Sequence, residues 1–417
     1  MTHRTADLGV LQGTALLLGG VLGPGALVLP HLAAAAAGPA SIAAWAGLLA
    51  LSVPVALTFA ALGSRHPDGG GAAAFTGLAF GERASAVVGW WFYFCVPAGI
   101  VAGALIGGEY VAAALGLDAA GLLACLLLGV AFAANAAGLR TSGGLQVGLV
   151  GLLAALLVAA VALAAPHTDA GNFTPFAPHG AGGVARAVGV LLFAFAGWEA
   201  ASHLSADFAD RRRGLRRATA VTLVVVGVLY LGLAVTTIGL LGERAAVTGV
   251  PLTELLAAGI GDAARPVTGA AAVLLSLGAI NTFIAGAARL GVALARDGAL
   301  PARLTGGPAP ARSLASLAVL TGALLPPVLL WNADLDVLMR VTSACLAAVT
   351  VAGTAAAVRL LPRGAARRTA VAATVFGGAA LLCCGAYLLV PLALAVAALL
   401  PARRSSPEAA SNAVAAR

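Results

Sequence analysis

The chain has 417 residues, of which 61% are hydrophobic and 10% are charged, and its mean hydropathy is +1.00. Soluble domains carry about 25% charged residues, so this composition excludes a soluble globular protein and indicates an integral membrane protein. The formal net charge of +8 would suit a nucleic-acid partner only if the basic residues formed one surface, and their placement along the chain argues against it.

Twelve apolar stretches follow one another, each near the roughly 20 residues that a helix needs to cross a bilayer. We predict an all-α integral membrane protein with a single polytopic domain at 1–402 and a short disordered cytoplasmic tail at 403–417. The two C-terminal spans are the shortest. The predicted spans are 8–37, 40–63, 85–113, 119–138, 143–165, 186–206, 216–241, 266–295, 313–331, 335–361, 368–384 and 386–401.

The arginines predict the orientation of these spans. All 24 basic residues are Arg. With the N-terminus inside, nineteen lie on inner segments, four lie at outer ends, and Arg289 lies within a span. Cytoplasmic loops of membrane proteins are enriched in basic residues, so we predict that both termini are cytoplasmic. The densest run, Asp210–Ala218, is then an inner loop with some contact to anionic lipid, and no nucleic acid is expected as a partner.

Other motifs point away from cofactor chemistry. The five cysteines lie in apolar runs without metal-ligand spacing, and we expect buried thiols, no metal and no cofactor. The Gly-rich loop Arg65–Phe75 lacks the GxxxxGK[ST] pattern of a phosphate-binding loop. The outer loop His167–Gly180 is predicted to form an ordered cap.

The first span contains "GGVLGPGALVLP" (Gly19–Pro30), which a continuous helix does not favour. Pro suits the first helical turn and disfavours a helical residue before it, so we predict one half-helix ending at Gly23 and another opening at Pro24. The free N–H groups of Gly25, Ala26 and Leu27 would then form an anion site at the positive end of the second half-helix. A simple proline kink is the alternative.

The sixth span reads "VLLFAFAGWEAASHLSADF" (Val190–Phe208) and places Gly197, Trp198 and Glu199 near mid-depth. Interrupted helices at corresponding positions of two inverted halves indicate a transporter site at the membrane midplane. We therefore predict that spans 1–5 and 6–10 are inverted repeats with discontinuous helices 1 and 6. The unwound carbonyls of Phe193, Ala194 and Phe195 would accept hydrogen bonds from an ammonium group, and the two breaks together would suit an amino acid zwitterion.

Ionisable and polar residues inside the membrane are functional candidates by default. Glu199 is predicted either to take up a proton or gate the site, or to cap the local helix. His203, one turn later, is either a structural residue near the inner interface or a relay member. Asn281 and Thr282 either join helices or contact substrate. Glu109 and its neighbour Tyr110 are predicted to be an interface anchor or an inter-helix partner.

These stretches resemble the amino acid–polyamine–organocation (APC) superfamily, and most closely the bacterial methionine and branched-chain amino acid exporters. The resemblance covers nearly the whole chain and is carried by "LLGGVLGPGALVLP", "HPDGGGAAAFTGLAFG", "FAFAGWEAASHLSADF" and "NFTPFAP". It implies twelve transmembrane helices in a five-plus-five inverted repeat, with spans 11 and 12 peripheral and substrate held between spans 1, 3, 6 and 8.

The resemblance also implies roles for single residues. It places Gly23, Gly25 and Ala26 at the substrate carboxylate, Phe193, Ala194 and Gly197 at the amino end, and Trp198 as a gate. Pro24 departs from the family, which usually has a small hydroxyl residue there. Sodium-coupled relatives use hydroxyls on span 8, where this chain offers Ser276 and Thr282.

The expected function is secondary active transport of apolar amino acids by alternating access, with export coupled to protons, in the bacterial cytoplasmic membrane. The apolar surroundings of both breaks favour methionine, leucine, isoleucine or valine. The alternatives are an importer or exchanger of amino acids or amines, and a membrane solute sensor that does not transport. An enzyme is not expected, because the sequence has no catalytic cluster such as HExxH. The partners expected are the amino acid, protons and the lipid bilayer.

Overall fold

A computed structural model of the chain describes residues 9–66, 71–138, 143–195, 197–198, 208, 213–304, 310–330 and 334–400. Within these ranges the protein is built of helices and turns, without a β-strand. The α-helices in chain order are α1 Val10–Val21, α2 Gly25–Ala37, α3 Ser41–Arg65, α4 Gly71–Phe80, α5 Glu82–Leu115, α6 Ala120–Ala136, α7 Gly143–Ala164, α8 Gly180–Phe195, α9 Arg213–Leu241, α10 Pro251–Ile260, α11 Ala264–Arg296, α12 Ala311–Leu330, α13 Leu335–Leu360, α14 Ala365–Leu382 and α15 Leu389–Leu399.

Seven helical stretches of the described chain are long and apolar enough to cross a membrane, or eight if a bent C-terminal pair counts as one span. The all-α membrane architecture predicted from the sequence agrees with this finding. Shorter apolar helices add to it, at Val10–Gly19, Gly71–Phe80, Ala120–Ala136 and Gly180–Ala194. The seven stretches are Gly25–Arg65, Glu82–Leu115, Val147–His167, Arg213–Ala246, Pro251–Arg296, Ala311–Leu330 and Leu335–Leu360.

The C-terminal pair differs from the prediction. Ala365–Leu382 and Gly385–Leu399 are bent by 116° relative to each other, as in a broken span or a re-entrant loop. Helix α15 has 11 residues, which at 1.5 Å per residue gives roughly 16 Å against a hydrocarbon core of about 30 Å. Helix α15 by itself is therefore shorter than a straight crossing, and the separate crossing at 386–401 stays a prediction.

Two short helices were not predicted. Helix α4 begins at Gly71, inside the stretch interpreted as a Gly-rich loop. Helix α10 lies between predicted spans 7 and 8, opens with Pro251 at its first turn and buries Leu252, Leu255 and Leu256. Both helices have ten residues, so neither produces the long apolar run by which membrane spans are found in a sequence.

The loop His167–Gly180 is ordered, as predicted. The Asp169 N–H donates a hydrogen bond of 2.9 Å to the carbonyl of Gly239 at the end of α9. The Pro178 ring lies against Gly38, where a Cβ atom would come within 2.8 Å of it. The loop therefore ties α9 to the turn between α2 and α3 and covers that end of the bundle.

Helix α5, 34 residues long, lies at the centre of the bundle and packs against α6, α11 and α13. Small residues on α5 allow these close approaches. A Cβ on Gly107 would lie 2.9 Å from Ser276 Oγ on α11, and one on Gly103 would lie 3.5 Å from the Ile280 side chain. Beside this scaffold, α2 packs against α8 and α9 packs against α3.

The five cysteines are free thiols, three of them buried and two half-buried. Across the described ranges, no three His, Cys, Asp or Glu side chains are grouped closely enough to hold a metal ion.

Candidate functional site

The first span is interrupted at the place predicted from the sequence. Helix α1 ends at Val21, and α2 begins at Gly25. Leu22 between them is extended, with φ −81° and ψ 96°. The Pro24 ring holds φ at −60° and starts the new helix, in keeping with the preference of proline for the first turn.

The amide groups at this break differ from the prediction. The N–H of Ala26 donates to the carbonyl of Gly23 and that of Leu27 to Pro24, each at 3.0 Å. The first turn of α2 therefore closes on itself, and these two N–H groups are not free. Among the described residues, no partner accepts the N–H of Gly25, which lies at the positive end of α2; its role toward a substrate stays a prediction.

Two buried tyrosines hold the two half-helices. The Tyr230 hydroxyl of α9 donates to the carbonyl of Val21 at 3.1 Å, a helix-end carbonyl that lacks a partner within α1. The Tyr110 hydroxyl of α5 donates to the carbonyl of Leu27 at 2.7 Å and accepts from the N–H of Leu252 at 3.2 Å. Tyr110 is thus the inter-helix partner that the sequence offered as one alternative, and Tyr230 was missed.

The sixth span is interrupted as well. Helix α8 ends at Phe195, and Gly197 follows with φ +114°, a conformation that residues with a Cβ atom rarely adopt. The prediction of unwound backbone at Phe193, Ala194 and Phe195 is wrong, because all three lie in the last turn of α8. Carbonyls in a last helical turn still lack partners within the helix, so this end of α8 remains a negatively polarised acceptor.

The two breaks lie against each other. The Phe193 ring covers Gly25 so closely that a Cβ atom on this glycine would come within 2.8 Å of the ring. Farther along the same pair, Phe208 lies against Gly13 of α1. Spans 1 and 6 therefore run side by side in opposite directions, with the N-terminus of α2 facing the C-terminus of α8.

Helices α5 and α11 complete the surroundings of the break. A Cβ atom on Gly103 would lie 3.8 Å from the Pro24 ring and 3.5 Å from Ile280. Pro24 thus lies beside Gly103 of the third span, which also faces Ile280 of the eighth span. Ala26, Leu27 and Ala194 are buried beside them, while the side chain of Phe195 lies outside what the structure describes.

Trp198 lies elsewhere. Its side chain is 1% exposed and lines a cavity of about 30 Å³ between α3, α8, α13 and α14, with Ser52 and Thr350 among the lining residues. Within the described residues its indole N–H has no hydrogen-bond partner. The structure therefore places Trp198 behind the sixth span, against α3 and α13, and not over the break at Gly25 as the predicted gate would require.

Asn281 joins helices. The Asn135 side-chain amide of α6 donates to Asn281 Oδ1 on α11 at 2.5 Å, which favours the helix-joining alternative. Thr282 is exposed and donates to the carbonyl of Gly278 in its own helix at 2.8 Å. The Ser276 hydroxyl is buried, and no partner for it lies in the described part of the chain.

Of the two acidic residues singled out from the sequence, the structure describes Glu109 but not Glu199. Glu109 is exposed and lies beside Gly249, where a Cβ atom would be 3.0 Å from Glu109 Oε1. Glu199 and His203, predicted to couple or gate transport, lie outside the described residues.

Comparison with known proteins identifies the family. A sequence model described as amino acid permease matches residues 8–409. The chain is 31% identical over 363 residues to the uncharacterized amino acid permease YecA of Bacillus subtilis, covering 85% of each chain. It is 31% identical over 298 residues to the L-methionine/branched-chain amino acid exporter YjeH of Escherichia coli, covering 70% of each. It is 24% identical over 321 residues to the branched-chain amino acid permease BcaP of Bacillus subtilis, covering 72% of this chain and 69% of the relative.

The matched family consists of transporters and not of enzymes, and its substrates are amino acids. The apolar helices and the match over nearly the whole sequence agree with a multi-pass protein in a lipid membrane. This chain belongs to the amino acid permease family.

Proposed function

We propose that this permease is a secondary active transporter that exports apolar amino acids across the bacterial cytoplasmic membrane by alternating access. The observation that carries the proposal is the meeting of two helix ends of opposite polarity. The N-terminus of α2 at Gly25 faces the C-terminal turn of α8 at Phe193. A helix N-terminus attracts a carboxylate and a C-terminus attracts an ammonium group, so the pair suits a zwitterion.

The side chain of the substrate would meet an apolar environment. Phe193, Pro24 and Ile280 surround the break, which suits methionine, leucine, isoleucine or valine. Two relatives carry names that agree with this class, one a methionine and branched-chain exporter and the other a branched-chain permease. The exporter relative is also what supports the outward direction.

The architecture proposed for this function has twelve spans in one domain over residues 1–402, with spans 1–5 and 6–10 as inverted repeats and both termini cytoplasmic. Two observations support it. The interrupted helices α1–α2 and α8 lie five predicted spans apart and run antiparallel. The arginines lie mainly on the segments assigned to the inner side.

Alternating access follows from how the two half-helices are anchored. Tyr110 ties α2 to α5 and α10. Helix α8 is instead tied to α13, because Arg340 donates to the carbonyl of Arg186 at 2.8 Å and Ser343 to that of Val190 at 3.3 Å. Arg186 of α8 also donates to the carbonyl of Ala36 in α2 at 3.4 Å, and α2 packs along α8, so the contact between Phe193 and Gly25 is one end of a longer interface. Separation of α2 from α8 at this end would lift Phe193 from Gly25 and admit the substrate to the open N–H.

Protons are proposed as the coupling ion, with Glu199 as the group that binds them. A carboxyl group within a span is costly to keep charged, and at a helix break it can exchange a proton between the two faces. His203 is proposed to be structural.

Efflux from proteoliposomes tests the function. Vesicles loaded with labelled leucine or methionine should show saturable efflux that accelerates when the outside is made acidic. Gly25→Ala should lower efflux about tenfold, the equivalent of one hydrogen bond to a charged group, because the new methyl group collides with Phe193 and covers the N–H. Gly47→Ala is the matched control, since nothing lies within 4 Å of a Cβ at that helical glycine.

Two further variants test the coupling. Glu199→Gln should remove the response to acid while efflux persists, and His203→Gln should keep the response. Equal efflux from Gly25→Ala and Gly47→Ala would contradict the site, and an unchanged acid response in Glu199→Gln would contradict the coupling residue alone.

A further inference from the structure

Three arginines gather where α13 passes into α14. Arg363, Arg367 and Arg368 line one open groove of about 520 Å³ together with Gly364 and Val371. In the part of the chain that the structure describes, none of the three guanidinium groups forms a hydrogen bond or an ion pair. The groove is therefore a concentration of positive charge that no acidic side chain of the described residues neutralises.

The neighbouring Arg359 differs from these three arginines, because its guanidinium group has partners within the protein. Its guanidinium donates to the carbonyl of Ala79 at 3.1 Å and lies 4.5 Å from the centre of the Phe80 ring. Arg359 thus joins α13 to the turn between α4 and α5. The three arginines of the groove have no such partner among the residues that the structure describes, so their donors are available to a ligand.

The chemistry of the groove suits a phosphate group. Planar guanidinium groups bind phosphate oxygens with paired hydrogen bonds. The groove also lies at the N-terminus of α14, an 18-residue helix whose first turn adds positive potential. Gly364 precedes this helix, and a Cβ there would find nothing within 4 Å, so the backbone is open to an approaching anion.

The surface beyond the groove indicates what carries the phosphate. Arg368, Val371 and Val375 follow at helical spacing and share one face of α14. Val371 lines the groove and is 43% exposed, and Val375 and Phe376 are 62% and 60% exposed. An apolar stripe thus leads from the arginines along α14, as an acyl chain attached to the phosphate would require.

We infer that the groove of Arg363, Arg367 and Arg368 binds the headgroup phosphate of an anionic phospholipid, with one acyl chain along the exposed face of α14. Helix α14 packs against α3 and α13, and its Gly377 lines the cavity that contains Trp198. A lipid held here would therefore fix α14 against the helices that lie behind the sixth span.

Native mass spectrometry of the full chain, taken from vesicles of equal phosphatidylglycerol and phosphatidylcholine, tests the inference. The native chain should retain phosphatidylglycerol preferentially. Arg367→Gln/Arg368→Gln should retain roughly tenfold less, since each arginine near a membrane surface contributes a severalfold attraction. Arg65→Gln/Arg83→Gln removes the same charge from two exposed arginines at the ends of α3 and α5 and should retain phosphatidylglycerol as the native chain does.

Equal losses from both double variants would overturn the inference, because they would show a general attraction to basic surface. Should the first double variant not fold, Arg363→Gln alone serves, with a smaller loss expected. Val371→Ser/Val375→Ser distinguishes the source of the phosphate. Weaker lipid retention, without displacement by excess inorganic phosphate, supports a phospholipid. Unchanged retention, with displacement by inorganic phosphate, would show a site for free phosphate and overturn the lipid assignment.

Discussion

At the scale of single residues, the proposed substrate site consists of a few contacts around one glycine. Gly25 needs no positive φ, yet it has no room for a side chain because Phe193 lies over it. The sequence pointed to Gly25 through the Gly-Pro-Gly pattern, which acts locally. It did not show that the amides of Ala26 and Leu27 are used within their own turn, because such bonding depends on how tightly the turn closes.

The tyrosines illustrate the same limit. A buried tyrosine needs a hydrogen-bond partner for its hydroxyl. The presence of Tyr230 and Tyr110 in otherwise apolar spans therefore indicates that each forms a hydrogen bond. Which carbonyls they reach, at Val21 and Leu27, depends on the packing of helices far apart in sequence.

Tyr110→Phe should lower the stability of the permease. It removes a hydrogen bond to the Leu27 carbonyl and leaves the Leu252 N–H, in the first turn of α10, without its partner, and such a buried group costs about 1–3 kcal/mol. The measurement is the midpoint of thermal unfolding of the purified protein in detergent. Tyr387→Phe is the matched control, because within the described residues the Tyr387 hydroxyl makes no hydrogen bond. Equal midpoints for the two variants would contradict the anchoring role of Tyr110.

At the scale of helices, the interruptions were the most predictable feature. Pro24 and Gly197 act on their own backbone, and α1 and α8 end beside them. The direction of the Trp198 side chain was not predictable, because it follows from the cavity that α3, α13 and α14 enclose. Helix α10 was missed because ten residues give too short a pattern.

Gly197→Ala should weaken both folding and transport. Its φ of +114° lies in a region that costs a residue with a Cβ atom of the order of 1–3 kcal/mol, so the alanine would push α8 to continue as a helix through the break. Initial rates of leucine efflux and the unfolding midpoint measure the effect. Gly286→Ala in α11, where a Cβ atom meets open space, should change neither. A fully active Gly197→Ala would show that the break needs no glycine.

At the scale of the whole molecule, composition alone established the membrane class, and the Arg distribution led to an orientation. The number of membrane crossings was harder to predict from the sequence. Helices α14 and α15 form a pair bent by 116°, where the sequence suggested two separate spans. The bend passes through Gly385, whose φ is +56°, and it is held by the packing of α15 against α5 and of α14 against α3.

The proposed orientation predicts which loops face the outside. In a variant with its five cysteines replaced by alanine, Asp169→Cys in the cap loop should react with a membrane-impermeant maleimide added to intact cells. Pro362→Cys at the turn between α13 and α14 should react only after the cells are opened. Both positions are exposed, so accessibility reports the side of the membrane. The reverse pattern would contradict the orientation drawn from the arginines.

The central claim is that the ends of α2 and α8 bind the two charges of a zwitterion. It is tested most directly by competition for labelled leucine efflux in proteoliposomes, using leucine, leucinamide and 4-methylpentanoate. Leucinamide lacks the carboxylate and 4-methylpentanoate lacks the ammonium group, while both keep the apolar side chain. Each analogue should compete about tenfold more weakly than leucine, as expected for the loss of one hydrogen bond to a charged group. Competition by either analogue as strong as that of leucine would show that one helix end does not bind its charge, and would contradict the account.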